Sequence, residues 1–128
     1  METNTMRVLV VEPGRPAYIK SISRGLESLQ KEVGGYIQAI YPFNDPVGLV
    51  CNDEGKLLGL PLNRALRDDH DKIYDVVAGT FLIVGLTDEA FTGLSEQFAD
   101  KYYHMFCVPE KFIPHKGKII VLREDLFE

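Results

Sequence analysis

The sequence is poor in the residues that usually announce a chemistry. It holds two cysteines and no tryptophan in 128 residues. Cys51 and Cys107 stand far apart with no Cys-x-x-Cys spacing, so neither a zinc site nor a disulfide framework is indicated, and two reduced, partly buried thiols are expected. Long apolar runs are missing as well. Nothing approaches the roughly 18 residues of a membrane span, and the initial Met-Glu-Thr-Asn-Thr lacks the basic and apolar stretches of a signal peptide. A cytoplasmic protein without membrane attachment is the expectation. Positive charge is in the minority, 14 Lys and Arg against 19 Asp and Glu for a net −5. That balance argues against the basic patch needed to bind a nucleic-acid backbone, and it is too mild for a charge-based imitation of DNA. The nucleotide-binding patterns G-x-G-x-x-G and Gly-Lys-Ser/Thr are absent, as is the G-x-S-x-G of a hydrolase elbow. The sequence calls for no cofactor, no metal and no catalytic residue.

What is present is material for one core. With 45% hydrophobic residues in 128, the chain is sized for a single domain spanning 1–128, residues 1–5 being read as a flexible N-terminus. Residues 6–12 form a β-branched apolar run closed by Pro13-Gly14, the pattern of a buried strand. Pro16 then suits a helix start, and Ile19, Ile22, Leu26, Leu29 and Val33 recur at spacings of three and four, with Gly34-Gly35 as the stop. Residues 36–41 read as a second strand. Residues 47–51 and 56–60 flank Asn52-Asp53-Glu54-Gly55 as a hairpin, with a strand running through Leu62 as the alternative. Residues 65–72 read as a solvated loop or single helical turn, and 76–85 as one buried strand. Thr87 is the expected cap of a second helix bearing Phe91, Leu94, Phe98, Tyr102 and Met105, unless Gly93 splits it. A loop after Pro109 leads to a last strand at 118–122. Adjacent strands with only two amphipathic helices predict an α+β fold, with a mainly antiparallel or mixed sheet of about five to six strands.

The stretch with most local constraint is Gly59-Leu60-Pro61-Leu62-Asn63-Arg64. Gly59 permits positive φ, Pro61 fixes its own φ, and the two leucines can anchor the turn. Asn63 and Arg64 would then be donors aimed in one direction, suited to a carboxylate or phosphate; the competing reading is a structural ion pair and a turn closure. Gly14 and Arg15 form a second candidate anion site, at the mouth of the expected first helix, where free N–H groups and the dipole favour negative charge. Asp68, Asp69, His70 and Asp71 are dense in metal-capable groups but adjacent, which suits a solvated loop better than a single ion. His104 and Cys107 share a helix end without a third partner, and His115 has no companion ligand nearby. Tyr102, Tyr103 and Phe106, with Tyr36 and Tyr41, offer stacking or subunit-contact surface; exposure of both Tyr102 and Tyr103 would favour self-association.

The run M-R-V-L-V-V-E-P-G, the segment Y-I-Q-A-I-Y, the motif G-L-P-L-N-R-A-L and the strand V-A-G-T-F-L-I-V-G together resemble a family of domains of unknown function found in bacteria, their phages and conjugative elements. The resemblance spans residue 6 to about 106 and marks Asn63, Arg64 and Gly79 as family-typical without roles. It implies a small accessory protein of a mobile element, a setting where counter-defence is common. The functional expectation is a non-enzymatic protein, with a homo-oligomer left open, that sequesters a small anionic, nucleotide-derived ligand through Asn63, Arg64, Arg15 and Gly14. The alternatives are a protein-interaction module acting on a host protein, and a hydrolase or transferase whose site assembles only in three dimensions.

Overall fold

The computed structural model describes residues 4–123. It is an α+β domain in which every strand pairing is antiparallel. Strand β1 (Thr5–Val11) and strand β2 (Tyr18–Ser23) form a hairpin, followed by helix α1 (Leu26–Val33) and strands β3 (Ile37–Ile40) and β4 (Val47–Asn52). Next come the pair β5 (Leu62–Arg67) and β6 (Ile73–Ala78), then β7 (Phe81–Leu86), the short β8 (Phe91–Thr92), helix α2 (Glu96–Phe106), and a terminal ribbon of β9 (Glu110–His115) and β10 (Lys118–Arg123). The main sheet has the order β2-β1-β7-β4-β3, with β8 paired to β7. β5–β6 and β9–β10 are separate two-stranded sheets.

Alternation along the three central strands divides the core. Val8, Val10, Val50, Leu82 and Val84 face α1, where Leu29 and Val33 meet them. Leu9, Val11, Leu49, Phe81 and Ile83 face the other way, toward Tyr102 and Phe106 of α2 and Leu66 and Val77 of the β5–β6 pair. A period of two in the backbone therefore supplies two apolar faces, and each needs its own cover. That is why β1, β4 and β7 read as continuous apolar runs.

Several expectations are corrected. The helix expected from Pro16 starts only at Leu26, because residues 18–23 pair with β1, from Thr5↔Ser23 to Val10↔Tyr18. Ile19 and Ile22 fit a helical stripe, but a strand also accepts them, and the open edge of β1 decides. Gly25, at φ 115, begins the helix, and Gly34 ends it in the left-handed conformation, as expected. The expected hairpin of 47–51 with 56–60 does not form. Both edges of β4 are taken by β3 and β7, and residues 53–60 coil in successive turns opened by the Asn52 side chain, which accepts the Glu54 N–H. The loop expected at 65–72 shrinks to a turn after Arg67, in which the Asp68 carboxylate accepts N–H groups of His70 and Lys72. The single strand expected at 76–85 breaks at Gly79 into β6 and β7, which belong to different sheets.

Thr87 caps a turn rather than a helix, and Ser95 is the α2 cap, accepting the Phe98 N–H. The loop expected after Pro109 is largely β9. Of the N-terminus expected to be flexible, Thr5 already lies in β1 and the Asn4 carbonyl accepts the Arg24 N–H, while residues 1–3 lie outside the described residues. Among the described residues, no helix is long and apolar enough to cross a membrane.

The path after β8 depends on a bare backbone. A Cβ at Gly85 would lie 2.5 Å from the Gly93 carbonyl oxygen and 3.1 Å from Thr92 Cγ2. Main chain cannot yield as a side-chain tip can, so Gly85→Ala is expected to destabilise the fold by about 1–3 kcal/mol, the range for overpacking. Urea unfolding of the two proteins measures the difference.

Candidate functional site

Asn63 and Arg64 are adjacent on β5, and neighbours on a strand ordinarily point to opposite faces. Here the ladder skips a residue, pairing Leu62 with Ala78 and Arg64 with Val77. The extra residue, Asn63, forms a bulge of the kind that bends a strand and re-aims its side chains. Both side chains consequently turn inward, at 0% and 1% exposure.

Their donors are directed at main chain. Asn63 Nδ2 donates to the carbonyls of Val11 at 2.7 Å and Gly79 at 2.9 Å, and its Oδ1 accepts from Arg64 Nη1 at 2.9 Å. The Arg64 guanidinium donates through Nε and Nη2 to the Phe106 carbonyl, at 3.2 and 2.9 Å, and through Nη2 to the Arg15 carbonyl at 2.7 Å. Phe106 ends α2, where orphan carbonyls concentrate negative potential and a cation is favoured. One planar fork thus joins β5, the last turn of α2 and the β1–β2 connection.

Gly14 and Arg15 lie in that connection. Both are exposed, and Arg15 takes part in the clamp through its carbonyl. The helix expected to begin after them is β2 instead, so the dipole contribution invoked for an anion there is lacking.

Beside the clamp, a cleft of about 510 Å³ lies between β5, the end of α2 and the Pro42–Asn44 turn. Arg64 forms part of its lining, with Phe43, Tyr74 and Lys101 among its other residues. Gly14 and Arg15 are not among the described lining residues. The opposite wall is fastened by Asp45, which accepts from Lys101 Nζ and from the Tyr102 hydroxyl at 2.7 Å. The Lys101 bond, then that of Tyr102, holds the Asp45 carboxyl below its usual 3.8. Burial, then Asp45, pushes the Tyr102 phenol up. Tyr102 is buried, so the condition set for self-association through Tyr102 and Tyr103 is not met.

Two residues that organise this region carry no motif. Glu110 is buried and accepts the Ala65 N–H at 2.9 Å and Arg67 Nη2 at 2.7 Å. Asp45 is an ordinary turn acid in sequence. Only the proximity of each to a proline marks a chain reversal.

The remaining candidates do not converge. Cys107 Sγ contacts the His104 carbonyl at 3.6 Å rather than its ring, while His104 Nδ1 lies 2.9 Å from the Asp100 carbonyl. No cluster of three metal-capable side chains occurs among the described residues. Cys51 borders a smaller hollow of about 290 Å³, and burial, reinforced by Asp53 and Asp75, pushes its thiol up, away from the reactive thiolate.

These features define a small α+β scaffold with a covered sheet and an arginine-clamped cleft at the end of its second helix. The chain belongs to the family of domains of unknown function DUF3846, whose profile matches residues 6–107. No curated protein and no solved structure matches the chain.

Replacing Arg64 by methionine keeps the bulk but strips donors from the Phe106 and Arg15 carbonyls. A buried acceptor left without a partner costs about 1–3 kcal/mol, so Arg64→Met is expected to lose about 3 kcal/mol or more in chemical denaturation. Arg67→Met, on a partly exposed side chain, should lose less.

The Asp45 tether fixes a pH dependence. Because its folded-state pKa is depressed, its stabilising contribution is complete above the unfolded value and disappears as pH falls through the lower folded value. The melting-temperature gap between wild type and Asp45→Asn should therefore be constant from neutrality down to about pH 5 and close below about pH 4.

Proposed function

We propose that the chain is a non-enzymatic binding protein that holds a small anionic, nucleotide-derived ligand in the cleft beside Arg64. The observation that carries this reading is the composition of that cleft. Its volume of about 510 Å³ falls in the roughly 300–1,000 Å³ typical of small-molecule sites. It combines aromatic surface at Phe43 and Tyr74 with Lys101, whose side chain is 53% exposed and whose ammonium is paired with Asp45, while Asp68, Asp69 and Asp71 form part of the rest of its lining. An aromatic face takes a base, and the Lys101 ammonium takes a phosphate or carboxylate in exchange for Asp45.

Asn63 and Arg64 serve this reading as builders: they fix the end of α2 against β5, and Arg64 contributes to the lining. Arg15 and Gly14 shape the turn that the same guanidinium holds. The setting implied by the sequence resemblance, small accessory proteins of phages and mobile elements, accords with capture of an immune signal in the cytoplasm.

Purified protein is denatured and its supernatant analysed by mass spectrometry, and the ligand-free protein is titrated with cyclic nucleotides and ADP-ribose derivatives by calorimetry. A saturating ligand, with binding weakened about tenfold or more by Tyr74→Ala and by Lys101→Met, is the expected result. An empty preparation that binds none of the panel, or binding indifferent to both substitutions, rejects the reading.

A further inference from the structure

The terminal ribbon departs from the rest of the molecule in pairing, charge and surface. β9 and β10 pair only with each other among the described residues. An isolated two-stranded hairpin is marginally stable in water unless something else covers it. This one is fastened at one end, where the Glu110 carboxylate accepts from Ala65 and Arg67 of β5. Residues 113–120 stand exposed, with Ile113, Ile119 and Ile120 at 43%, 52% and 41% exposure, while Phe112, Val121 and Leu122 are half-buried. The ribbon also lies outside residues 6–107 matched by the family.

Its two edges are not equivalent. β9 contains Pro114, which removes a donor from that edge, a common device against unwanted pairing. β10 is Lys-Ile-Ile-Val-Leu-Arg, with no proline and a continuous run of strand-forming residues. An edge of that kind is a template for strand addition.

Charge selects among the possible occupants. The ribbon carries Lys111, Lys116, Lys118 and Arg123, and its one acid, Glu110, is turned inward. The whole chain has 19 acids and 14 bases, so the ribbon is a basic projection from an acidic body. A second copy of the ribbon laid edge to edge would set like charges together. A DNA duplex could admit a β-ribbon in its major groove, but the acidic body would be held against the phosphates. A membrane surface calls for one apolar face. The register pairs Ile120 with Ile113 and Ile119 with Pro114, and adjacent residues of a strand face opposite ways, so the isoleucines divide between two faces.

We propose that the β10 edge docks an extended, acidic segment of a partner protein as a third strand of the ribbon. Main-chain hydrogen bonds along residues 118–123 supply affinity. Apolar side chains of the segment lie beside Ile119 and Ile120, and its carboxylates meet Lys116 and Lys118. Arg123, at the far end of this edge, also lines the cleft.

The test uses the full chain and a short fluorescein-labelled peptide with a central pair of valines flanked by glutamates, read by anisotropy and by amide hydrogen exchange. Saturable binding that weakens with salt, with new protection at residues 118–123, is expected. Ile120→Lys and Lys118→Glu should each weaken it about tenfold, while circular dichroism confirms that both variants fold. The proposal is overturned by no binding, by equal binding of a valine–lysine peptide, or by protection confined to other residues. Preferential capture of phosphatidylserine vesicles or duplex DNA by the ribbon also overturns it, as does self-association that the same substitutions abolish.

Discussion

The structure depends on one guanidinium. Arg64 gathers the carbonyl that ends α2, the carbonyl of Arg15 between β1 and β2, and the amide oxygen of Asn63 beside it. These groups come from segments distant in sequence, and the buried Phe106 and Asn63 oxygens would otherwise be acceptors removed from water without this donor. A lysine could not replace the fork, because a single ammonium lacks the planar, divergent N–H groups that reach both the helix end and the turn. Asn63 extends the network to Val11 and Gly79, so the end of β1 and the Gly79 break between β6 and β7 are tied to the same bulge.

That clamp also explains how a two-faced sheet is closed on one side by pieces that are not themselves a layer. On the α1 side a single short helix covers Val8, Val10, Leu82 and Val84. On the other side the cover is assembled from α2 and the β5–β6 pair, whose Leu66, Val77, Tyr102 and Phe106 share one apolar cluster. Two unlike elements packed side by side need a joint. Arg64 supplies it at the Phe106 end, and the Asp45–Tyr102 bond anchors α2 to the β3–β4 connection.

Much of this was legible in the sequence, and the exceptions share a cause. β1, β4 and β7 are written as apolar runs, α2 as a stripe from Phe98 through Tyr102, and the end of α1 as Gly34-Gly35. Where a residue pattern is compatible with two local structures, the neighbour decides. Ile19 and Ile22 satisfy a helix as well as a strand, and only the edge of β1 selects the strand. Asn52-Asp53-Glu54-Gly55 looks like a hairpin turn until β3 and β7 occupy both edges of β4. Likewise Asn63 and Arg64 stand out as a constrained polar pair, but their direction is set by a bulge that depends on the register with β6. A strand without the bulge would have sent one of them outward. Glu110 and Asp45 were not legible at all, since each is a lone acid whose partners lie on other elements.

Glu110 relates the two proposed surfaces. Its carboxylate belongs to β9, at the root of the ribbon, yet its donors, the Ala65 N–H and the Arg67 guanidinium, belong to β5, and Glu110, Ala65 and Arg67 all line the cleft. A load on the ribbon is therefore borne by the same strand whose bulge presents Arg64 to α2. Coupling between sites requires an element whose state both can bias, and free energy transmitted in one direction is transmitted equally in the other. β5 has the connections for that role: Asn63 and Arg64 fix its first half to the core and to the end of α2, while Ala65 and Arg67 hold the ribbon. A ligand that stiffens the cleft and a strand that extends the ribbon would each act on the hydrogen bonds of one buried carboxylate. The two surfaces, which meet at Arg123, thus share a mechanical root, because both are built outward from the strand that carries the clamp.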